Sequence, residues 1–392
     1  MTPAATDRAS AIRFIVCLGI VSLLADTTYE GARSITGPFF KDLGATAAQV
    51  GLIVGLGELC GFTLRLASGL LADRTRAYWT ITIVGYAVNL AAVPMLAFAG
   101  SWQIAALLVI AERTGKSLRT PARDVLLSEA AHAVGSGWGF GLHAALDQVG
   151  AVLGPLFVAW SVARSHSYAP AFLRLAIPAA AAVVVLVAAR AVYAAANAET
   201  PAAARESGAL PKIFWRYVAA AALLAAGFVD FPLIAYHLEK TALARPAAIP
   251  LLYAGAMAVN AVTALLLGRL FDRYGLAALA GGIVISLASL PLAFLGGFIA
   301  VSAGIACWGT GMGAQDAILR AGIARVVSMG KRGRAFGAFN AVYGVMWFLG
   351  SAAMGLLYDH SVPTLVIFGV VAQAAAAVAF LRLAMQASKQ AH

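Results

Sequence analysis

Charged residues are scarce in this chain. Asp, Glu, Lys and Arg make up only 11% of its 392 residues, whereas soluble domains average about 25%. Hydrophobic residues account for 61%, and no polar stretch is long enough to form a separate soluble domain. Apolar runs of about 20 residues, the length that a helix needs to cross a bilayer, recur along the whole chain. The composition therefore excludes an ordinary soluble protein and predicts an integral membrane protein.

Cysteine is rarer still. The three cysteines stand singly in apolar runs, at Cys17, Cys60 and Cys307. Disulfide frameworks and thiolate metal sites need paired cysteines, so we expect buried packing thiols, no metal site and no bound cofactor. The net charge of +11 comes from basic residues scattered over short loops, without the basic and aromatic platform of a nucleic-acid-binding surface. We therefore expect no nucleic-acid partner.

Nucleotide-binding and catalytic motifs are missing as well. The string Gly115-Lys116-Ser117 looks like the end of a phosphate-binding loop. That loop requires a glycine where Ile110 stands, and a soluble strand before it. No catalytic cluster lies at a predicted membrane interface. An ATP-driven pump and a membrane-embedded enzyme are therefore disfavoured, and we predict that the chain is not an enzyme.

The apolar runs predict an all-α integral membrane fold. We place twelve spans at 12–37, 47–71, 77–99, 102–125, 138–162, 170–194, 213–237, 247–270, 275–297, 299–322, 334–357 and 362–385. The first run continues into Asp26 and Glu30 without a small-residue cleavage site, so it is interpreted as a retained helix. One longer polar stretch divides the spans six and six. This predicts an N-terminal six-helix bundle at 1–194, a cytoplasmic linker at 195–212 and a C-terminal six-helix bundle at 213–392.

The two halves carry a weak internal repeat. Three short patterns recur in the same register: Leu23-Leu24-Ala25 as Leu223-Leu224-Ala225, Gly69 with Asp73-Arg74 as Gly268 with Asp272-Arg273, and Phe140-Gly141 with Gly154 as Phe336-Gly337 with Gly350. The first match sets Asp230 opposite Glu30. Duplicated six-helix units are typical of transporters that bind a solute between their halves. We therefore predict two pseudo-symmetric bundles.

The basic residues of the loops predict the orientation of the chain. With the N-terminus inside, about sixteen Lys and Arg fall on the cytoplasmic side and about five outside, the asymmetry expected of a membrane protein. The residues placed outside are Lys41, Arg164, Arg174, Lys240 and Arg245. Both termini are thus predicted to be cytoplasmic, in a multi-pass protein of a bacterial inner membrane.

Thiol labelling in whole cells tests this orientation. Cysteines introduced at Lys41 and Lys240 should react with a membrane-impermeant thiol reagent, because both positions are predicted to face the outside. Cysteines introduced at Arg76 and Lys331 should stay unlabelled until the cells are permeabilised. The reverse labelling pattern would contradict the predicted orientation.

A charged string, Glu112 to Asp124, interrupts the fourth predicted span. Four of its side chains fall on one narrow arc of a helix, with Arg113 to one side of them: Glu112, Lys116, Arg119 and Arg123. An unpaired charge near the bilayer centre costs about 2.5–3.5 kcal/mol on insertion scales. We therefore expect a polar cavity, acidic partners or both, with Lys116 and Arg119 along the cytoplasmic half of a solute pathway.

Asp26, Glu30 and Arg33 lie four and three residues apart on one face of the first predicted helix. One interpretation is a structural pair, either Glu30 with Arg33 or Asp26 with Glu112. The other, which we favour, is a protonatable pair, because two carboxylates close together in a dry environment retain a proton more readily than exposed ones. In this hypothesis Asp26 and Glu30 couple proton movement to transport, and Arg113 resets them.

Further candidates lie elsewhere along the chain. His143 and Asp147 stack one turn apart on the fifth helix, and a structural hydrogen bond and a proton relay both fit this spacing. Besides Lys116 and Arg119, the candidates for the solute cavity are Arg33, Glu58, Glu112, Asp230, Asn340 and Trp347. Glu58 can equally pair with a neighbouring helix. Five tryptophans near predicted span ends are interpreted as interfacial anchors: Trp79, Trp102, Trp160, Trp215 and Trp308.

The loop after the second span reads Gly69-Leu-Leu-Ala-Asp73-Arg74-Thr-Arg76. It resembles the cytoplasmic signature loop of the major facilitator superfamily, Gly-x-x-x-Asp-Arg-x-Gly-Arg-Arg, although Arg-Ala-Tyr replaces the closing Gly-Arg-Arg. The resemblance implies that Gly69, Asp73 and Arg74 control conformational change. Asp272 and Arg273 form the second copy of this pattern and receive the same role.

Arg113 with Gly115 resembles the superfamily's fourth-helix motif, which is associated with proton coupling. The wider string 113–124, the acidic pair and the segment Gly139 to Asp147 resemble a branch of bacterial permeases that export drugs or metals. The resemblance to the superfamily covers the whole chain. The resemblance to this branch covers residues 26–155. It implies a monomeric secondary active transporter that exports a small solute by alternating access, driven by the proton gradient. The alternatives are proton-coupled uptake of an organic anion and, last, a membrane-embedded enzyme.

Overall fold

The computed structural model describes residues 8–193, 209–328 and 331–390. These ranges form helices without a single strand. The α-helices are α1 Arg8–Asp42, α2 Ala47–Thr75, α3 Tyr78–Met95, α4 Trp102–Val134, α5 Ser136–Ser165, α6 Ala169–Arg174, α7 Ala176–Tyr193, α8 Lys212–Gly227, α9 Phe231–Lys240, α10 Ala248–Tyr274, α11 Leu276–Leu287, α12 Ser289–Leu295, α13 Phe298–Val326, α14 Arg332–His360 and α15 Val362–Gln390. A 3-10 helix, Leu96–Phe98, follows α3. Most of the predicted linker 195–212 lies outside the described residues.

Within the described residues, ten helical segments are long and apolar enough to cross a membrane. In three of them two consecutive helices share one span: α6 with α7, α8 with α9, and α11 with α12. Helices α4 and α13 have 33 and 29 residues but are not among the ten. Helix α4 contains the charged string, which accounts for its lower hydropathy. The predicted all-α, multi-pass class is confirmed, and the number of twelve spans stays a prediction.

The break between α8 and α9 is the main departure from the predicted spans. Helix α8 ends at Gly227, and Phe228 and Asp230 have extended backbone angles. Pro232 lies in the first turn of α9, where its missing N–H leaves no hydrogen bond unmade. The matching part of the first half, around Asp26 and Glu30, is a continuous helix. The internal repeat therefore does not extend to this feature of the backbone.

The described residues group into two compact units. The first unit lies within Met1–Ile35 and Thr63–Pro201, and the second within Thr36–Phe62 and Ala202–His392. The division passes through α1 and α2, so the end of α1 and the beginning of α2 belong with the C-terminal helices. The predicted division at the linker stays a prediction.

Glycines set the helix spacing in the first unit. A Cβ on Gly115 of α4 would lie 2.8 Å from Asn89 Cα of α3, and one on Gly85 of α3 would lie 2.7 Å from the backbone nitrogen of Arg119. A Cβ on Gly150 of α5 would similarly lie 2.9 Å from the carbonyl carbon of Leu23 in α1. Small residues of this kind let helix backbones approach closely in membranes. They bring α1, α3 and α5 against the charged helix α4 or against each other.

The second unit uses the same device. A Cβ on Gly350 of α14 would lie 2.5 Å from Ala226 Cα of α8. On the α2 side, a Cβ on Gly55 would lie 3.1 Å from the carbonyl oxygen of Phe348 in α14. The backbone N–H of Ala48 also donates to Asp359 Oδ2 at 2.8 Å. Helix α14 is therefore held between the beginning of α2 and the broken helix pair α8–α9.

Candidate functional site

The first cluster of buried charge lies where α1 meets α4 in the first unit. Asp26 and Glu30, here called the acid pair, are each only 8% exposed. The Tyr29 hydroxyl donates to Asp26 Oδ1 at 2.5 Å. Lys116 Nζ lies 3.9 Å from Glu30 Oε1. Both carboxylates of the predicted α1 face are therefore buried, and each has an identified polar partner.

Lys116 is placed to act on both members of the acid pair. Its Nζ lies 3.7 Å from the centre of the Tyr29 ring, and its charge acts on Asp26 as well as on Glu30. An ammonium over an aromatic face is attracted by the ring quadrupole. The Tyr29 ring therefore holds the Lys116 ammonium beside Glu30. The Tyr29 hydroxyl donates to the other carboxylate, that of Asp26.

Arg119, one turn further along α4, is the most deeply buried cation of this cluster, with 1% of its surface exposed. Its Cζ lies 4.0 Å from the Tyr86 ring centre and 5.8 Å from that of Tyr29. Two guanidinium nitrogens, Nε and Nη1, are buried and have no hydrogen-bond partner. A buried donor without a partner costs about 1–3 kcal/mol, and more when the group is charged.

Glu112 and Arg113 lie on α4 about one turn before Lys116, towards the N-terminus of the helix. Arg113 Nε is 3.3 Å from Glu112 Oε2. Asn89 Nδ2 of α3 donates to Glu112 Oε1 at 2.7 Å and to the Glu112 carbonyl at 3.0 Å. Lys116 thus lies beside Glu30, and Arg113 lies beside Glu112. The predicted resetting role of Arg113 stays a prediction.

His143 and Asp147 form the predicted stack on α5. His143 Nδ1 lies 3.6 Å from Asp147 Oδ2, and His143 Nε2 lies 3.0 Å from Ser22 Oγ on α1. Arg123 Nη1 donates to the same serine oxygen at 3.1 Å. The charge of Asp147 also acts on Asp26. A continuous polar network thus joins α5 to α1 beside the acid pair.

Sequence reasoning missed three members of this network. Ser22, Tyr86 and Asn89 are completely buried, and each makes a polar contact with another helix. Single Ser, Tyr and Asn residues are common in apolar runs. The sequence does not show which of them has a polar partner on another helix, so they could not be predicted as members of the network. Of the remaining first-unit candidates, Arg33 is half-buried on α1.

The second cluster surrounds Asp230, at the break between α8 and α9. Trp347 Nε1 of α14 donates to Asp230 Oδ2 at 3.0 Å, and Ser351 Oγ, one turn further, bonds to the same oxygen. Trp308 Nε1 donates to the carbonyl of Val229 at 2.8 Å. Trp308 thus satisfies a backbone carbonyl at the helix break. Trp347 and Ser351 satisfy the buried carboxylate of Asp230. The interpretation of Trp308 as an interfacial anchor is wrong, because it is buried at 1% exposure beside this break.

Aromatic rings continue from this cluster along α14. The ring centre of Trp347 lies 5.8 Å from that of Phe228, 5.6 Å from Tyr343 and 6.4 Å from Phe62. Glu58 is half-buried on α2, and its charge acts on Tyr343. Asn340, two turns before Trp347 on α14, is also half-buried. The structure therefore brings Asp230 and Trp347 into contact, within a largely aromatic surface.

The hydrogen bonds to Asp230 predict a measurable stability effect. Trp347→Phe removes a donor to a buried carboxylate and should lower the free energy of unfolding by about 1.5–3 kcal/mol. The matched control is Trp215→Phe, because Trp215 is 49% exposed and should tolerate the change. Thermal unfolding in detergent measures both variants. Equal melting temperatures would show that the Trp347 bond contributes nothing.

The predicted gating residues lie at helix ends. Asp73 and Arg74 are exposed near the end of α2, and a Cβ on Gly69 would meet Pro121 of α4 at an ordinary 3.7 Å. Asp272 lies 3.6 Å from Arg325 Nη2 but is 82% exposed, so this ion pair contributes little to stability. Arg273 is exposed in the same turn. Their role in conformational change stays a prediction.

Relatives of this chain include a bacterial and an archaeal protein. An uncharacterized protein of Mycobacterium tuberculosis is 43% identical over 367 residues, which cover 91% of this chain and 90% of that protein. An uncharacterized MFS-type transporter of Methanocaldococcus jannaschii is 31% identical over 140 residues, 36% of this chain and 35% of its own length. The first relative matches nearly end to end, and the second over about a third.

A solved structure shares the fold. A transporter of the POT family, crystallised in complex with 5-aminolevulinic acid, superposes with a TM-score of 0.76 over 96% of both chains, at 11% sequence identity. The sequence profile of the Major Facilitator Superfamily matches residues 18–351, which contain both clusters. The chain therefore belongs to the major facilitator superfamily, whose members are secondary transporters.

Proposed function

We propose that this protein is a proton-coupled transporter that moves a small solute across a bacterial inner membrane by alternating access. The observation that carries the proposal is the buried acid pair with Lys116 Nζ 3.9 Å from Glu30 Oε1. In this proposal the protein acts as a monomer with both termini in the cytoplasm, and it needs no cofactor beyond the proton gradient.

The acid pair and Lys116 can exchange a proton for an ion pair. While Lys116 stays beside Glu30, its charge neutralises one carboxylate, and the Tyr29 hydroxyl stabilises Asp26. If the ammonium moves away, two buried carboxylates one turn apart repel each other, and a proton becomes the neutralising charge. A solute that draws Lys116 away, or that replaces it, therefore changes the proton occupancy of the pair.

Two directions of transport are compatible with this coupling. Export in exchange for protons is our first candidate, because segment 26–155 resembles exporting permeases. A cationic solute would then compete with the proton for the acid pair. Uptake of an organic anion together with protons is the second candidate, and the unsatisfied guanidinium of Arg119 favours it. A membrane-embedded enzyme is the least supported alternative.

The experiment has two stages. A thermal-shift screen of detergent-purified protein against metabolites, antibiotics and metal salts at two pH values identifies solutes that bind. Proteoliposomes are then incubated with the solute, and a pH gradient of either sign is imposed across their membrane. We expect solute to accumulate only when a gradient is imposed, and the sign of the effective gradient separates export from uptake. Accumulation independent of pH would contradict proton coupling.

A further inference from the structure

Arg119 and Lys116 form a cationic face of α4 that the acid pair does not fully engage. Lys116 is held by Glu30, but Nε and Nη1 of Arg119 have no hydrogen-bond partner although the residue is 99% buried. We propose that these two side chains bind the anionic group, a carboxylate or a phosphate, of the transported solute. This inference rests on the proposed function and assigns its substrate class.

The two cations converge on one place. They lie three residues apart, so their side chains leave α4 on the same face. The Tyr29 ring lies between them, 3.7 Å from Lys116 Nζ and 5.8 Å from Arg119 Cζ. Tyr86 stacks 4.0 Å from the guanidinium and fixes its plane. The fork of N–H groups is therefore already oriented before any ligand binds.

A buried guanidinium whose Nε and Nη1 have no hydrogen-bond partner can bind an oxyanion. Its planar fork matches the two oxygens of a carboxylate or phosphate, which makes such pairs bidentate and strong. Arg123, one turn further along α4, provides the contrast. It donates to Asp124 Oδ1 at 2.7 Å and to Ser22 Oγ at 3.1 Å. Arg123 thus donates its hydrogen bonds to residues of the same chain. Two nitrogens of Arg119 have no such partner and are available to a bound ligand.

The position of this site links anion binding to the acid pair. An anion that contacts Lys116 competes with Glu30 for the ammonium, since Lys116 Nζ is 3.9 Å from Glu30 Oε1. Asp147, Lys116 and Arg119 are among the charges that act on Asp26, and the Tyr29 hydroxyl donates to its Oδ1. Neutralising the two cations leaves the carboxylates without compensation, so the acid pair gains a proton. Anion and proton then bind together, and this coupling supports the second candidate of the proposed function, uptake of an organic anion with protons.

The test measures the melting temperature of the full-length protein in detergent at pH 7. Sodium acetate and inorganic phosphate are titrated at an ionic strength kept constant with chloride. We expect acetate, phosphate or both to raise the melting temperature of the wild type above the chloride baseline. Acetate alone would indicate a carboxylate solute, and phosphate alone a phosphorylated one. No shift with either anion overturns the proposal.

Two variants of Arg119 and one control make the test specific. Arg119→Gln should abolish the anion-dependent shift, and Arg119→Lys, which keeps the charge but loses the fork, should weaken the apparent affinity about 10–100-fold. Arg164→Gln removes one exposed positive charge on α5 and should leave the shift unchanged. Without anion, Arg119→Gln loses the stacking on Tyr86 but should melt only slightly below wild type, because Nε and Nη1 have no hydrogen-bond partner to lose. An anion shift that persists in Arg119→Gln, or a large loss of stability without anion, overturns the proposal.

This test is independent of proton coupling. Anion binding at a fixed pH requires no net proton transfer across a membrane. If anions fail to stabilise the wild type while substitutions in the acid pair still abolish gradient-driven transport, only the substrate assignment fails. If anions bind through Arg119 while the acid-pair variants keep gradient-driven transport, the proposed coupling site fails and the anion site stands.

Discussion

Gradient-driven accumulation should be abolished in both Asp26→Asn and Glu30→Gln. Asn and Gln are nearly isosteric with the acids but cannot ionise, so the pair loses its ability to exchange a proton for the Lys116 ammonium. Exchange of solute at equal pH on both sides should survive, because it requires no net proton transfer. The assay compares accumulation under an imposed pH gradient with counterflow in the same proteoliposomes.

Asp124→Asn is the control for this prediction. Asp124 is a carboxylate on α4 that pairs with Arg123 and is 43% exposed in its side chain, so its loss should leave coupling intact. Wild-type accumulation in both acid-pair variants would remove the pair from the mechanism. The stacked His143 and Asp147, which lie on the same network, would then be the next candidates.

Gly115→Val should prevent the first unit from folding correctly. The Cβ would lie 2.8 Å from Asn89 Cα and 2.8 Å from the Gly85 carbonyl oxygen, and neither backbone group can rotate away. Overpacking in a well-packed core costs about 1–3 kcal/mol, and contact with backbone lies at or above the top of this range. We expect little monodisperse protein after detergent extraction, and any that is recovered should melt well below wild type.

Gly141→Val is the matched control for this clash. Gly141 lies within α5, in the same unit, and a Cβ added there would meet nothing within 4 Å. The two variants add the same side chain to a helical glycine and differ in the space available. Similar expression and melting temperatures for both would show that α3 and α4 are less closely packed than described above.

Helix periodicity predicted which residues share a face, but not which helices meet. The spacing of Asp26 and Glu30 placed both on one face of α1, and both are buried in the structure. The spacing of His143 and Asp147 placed their side chains together, as the structure shows. Arg113 was predicted to act on the acid pair, yet it is Lys116 whose Nζ lies 3.9 Å from Glu30 Oε1. Only the packing angle of α4 selects among neighbouring cations, and glycines such as Gly115 set that packing through contacts with α3.

The second cluster shows the same limit. Asp230 and Trp347 were both candidates for the solute cavity, but their hydrogen bond joins residues 117 positions apart, a pairing that one sequence cannot reveal. The helix break had a local signal in Gly227 and Pro232, which flank it. The mean hydropathy of the segment did not reveal that signal, because Phe228 and Val229 in the break and the helices on either side are apolar.

Proton exchange on solute binding tests the central claim most directly. Purified wild-type protein and the Asp26→Asn/Glu30→Gln double variant are placed in weak buffer with a pH-sensitive dye, and a solute from the thermal-shift screen is added. The wild type should exchange about one proton per solute bound, since the proton occupancy of the acid pair differs between the free and bound states. The double variant should bind the solute without proton exchange. Equal proton exchange in both proteins would contradict the assignment of Asp26 and Glu30 as the coupling site.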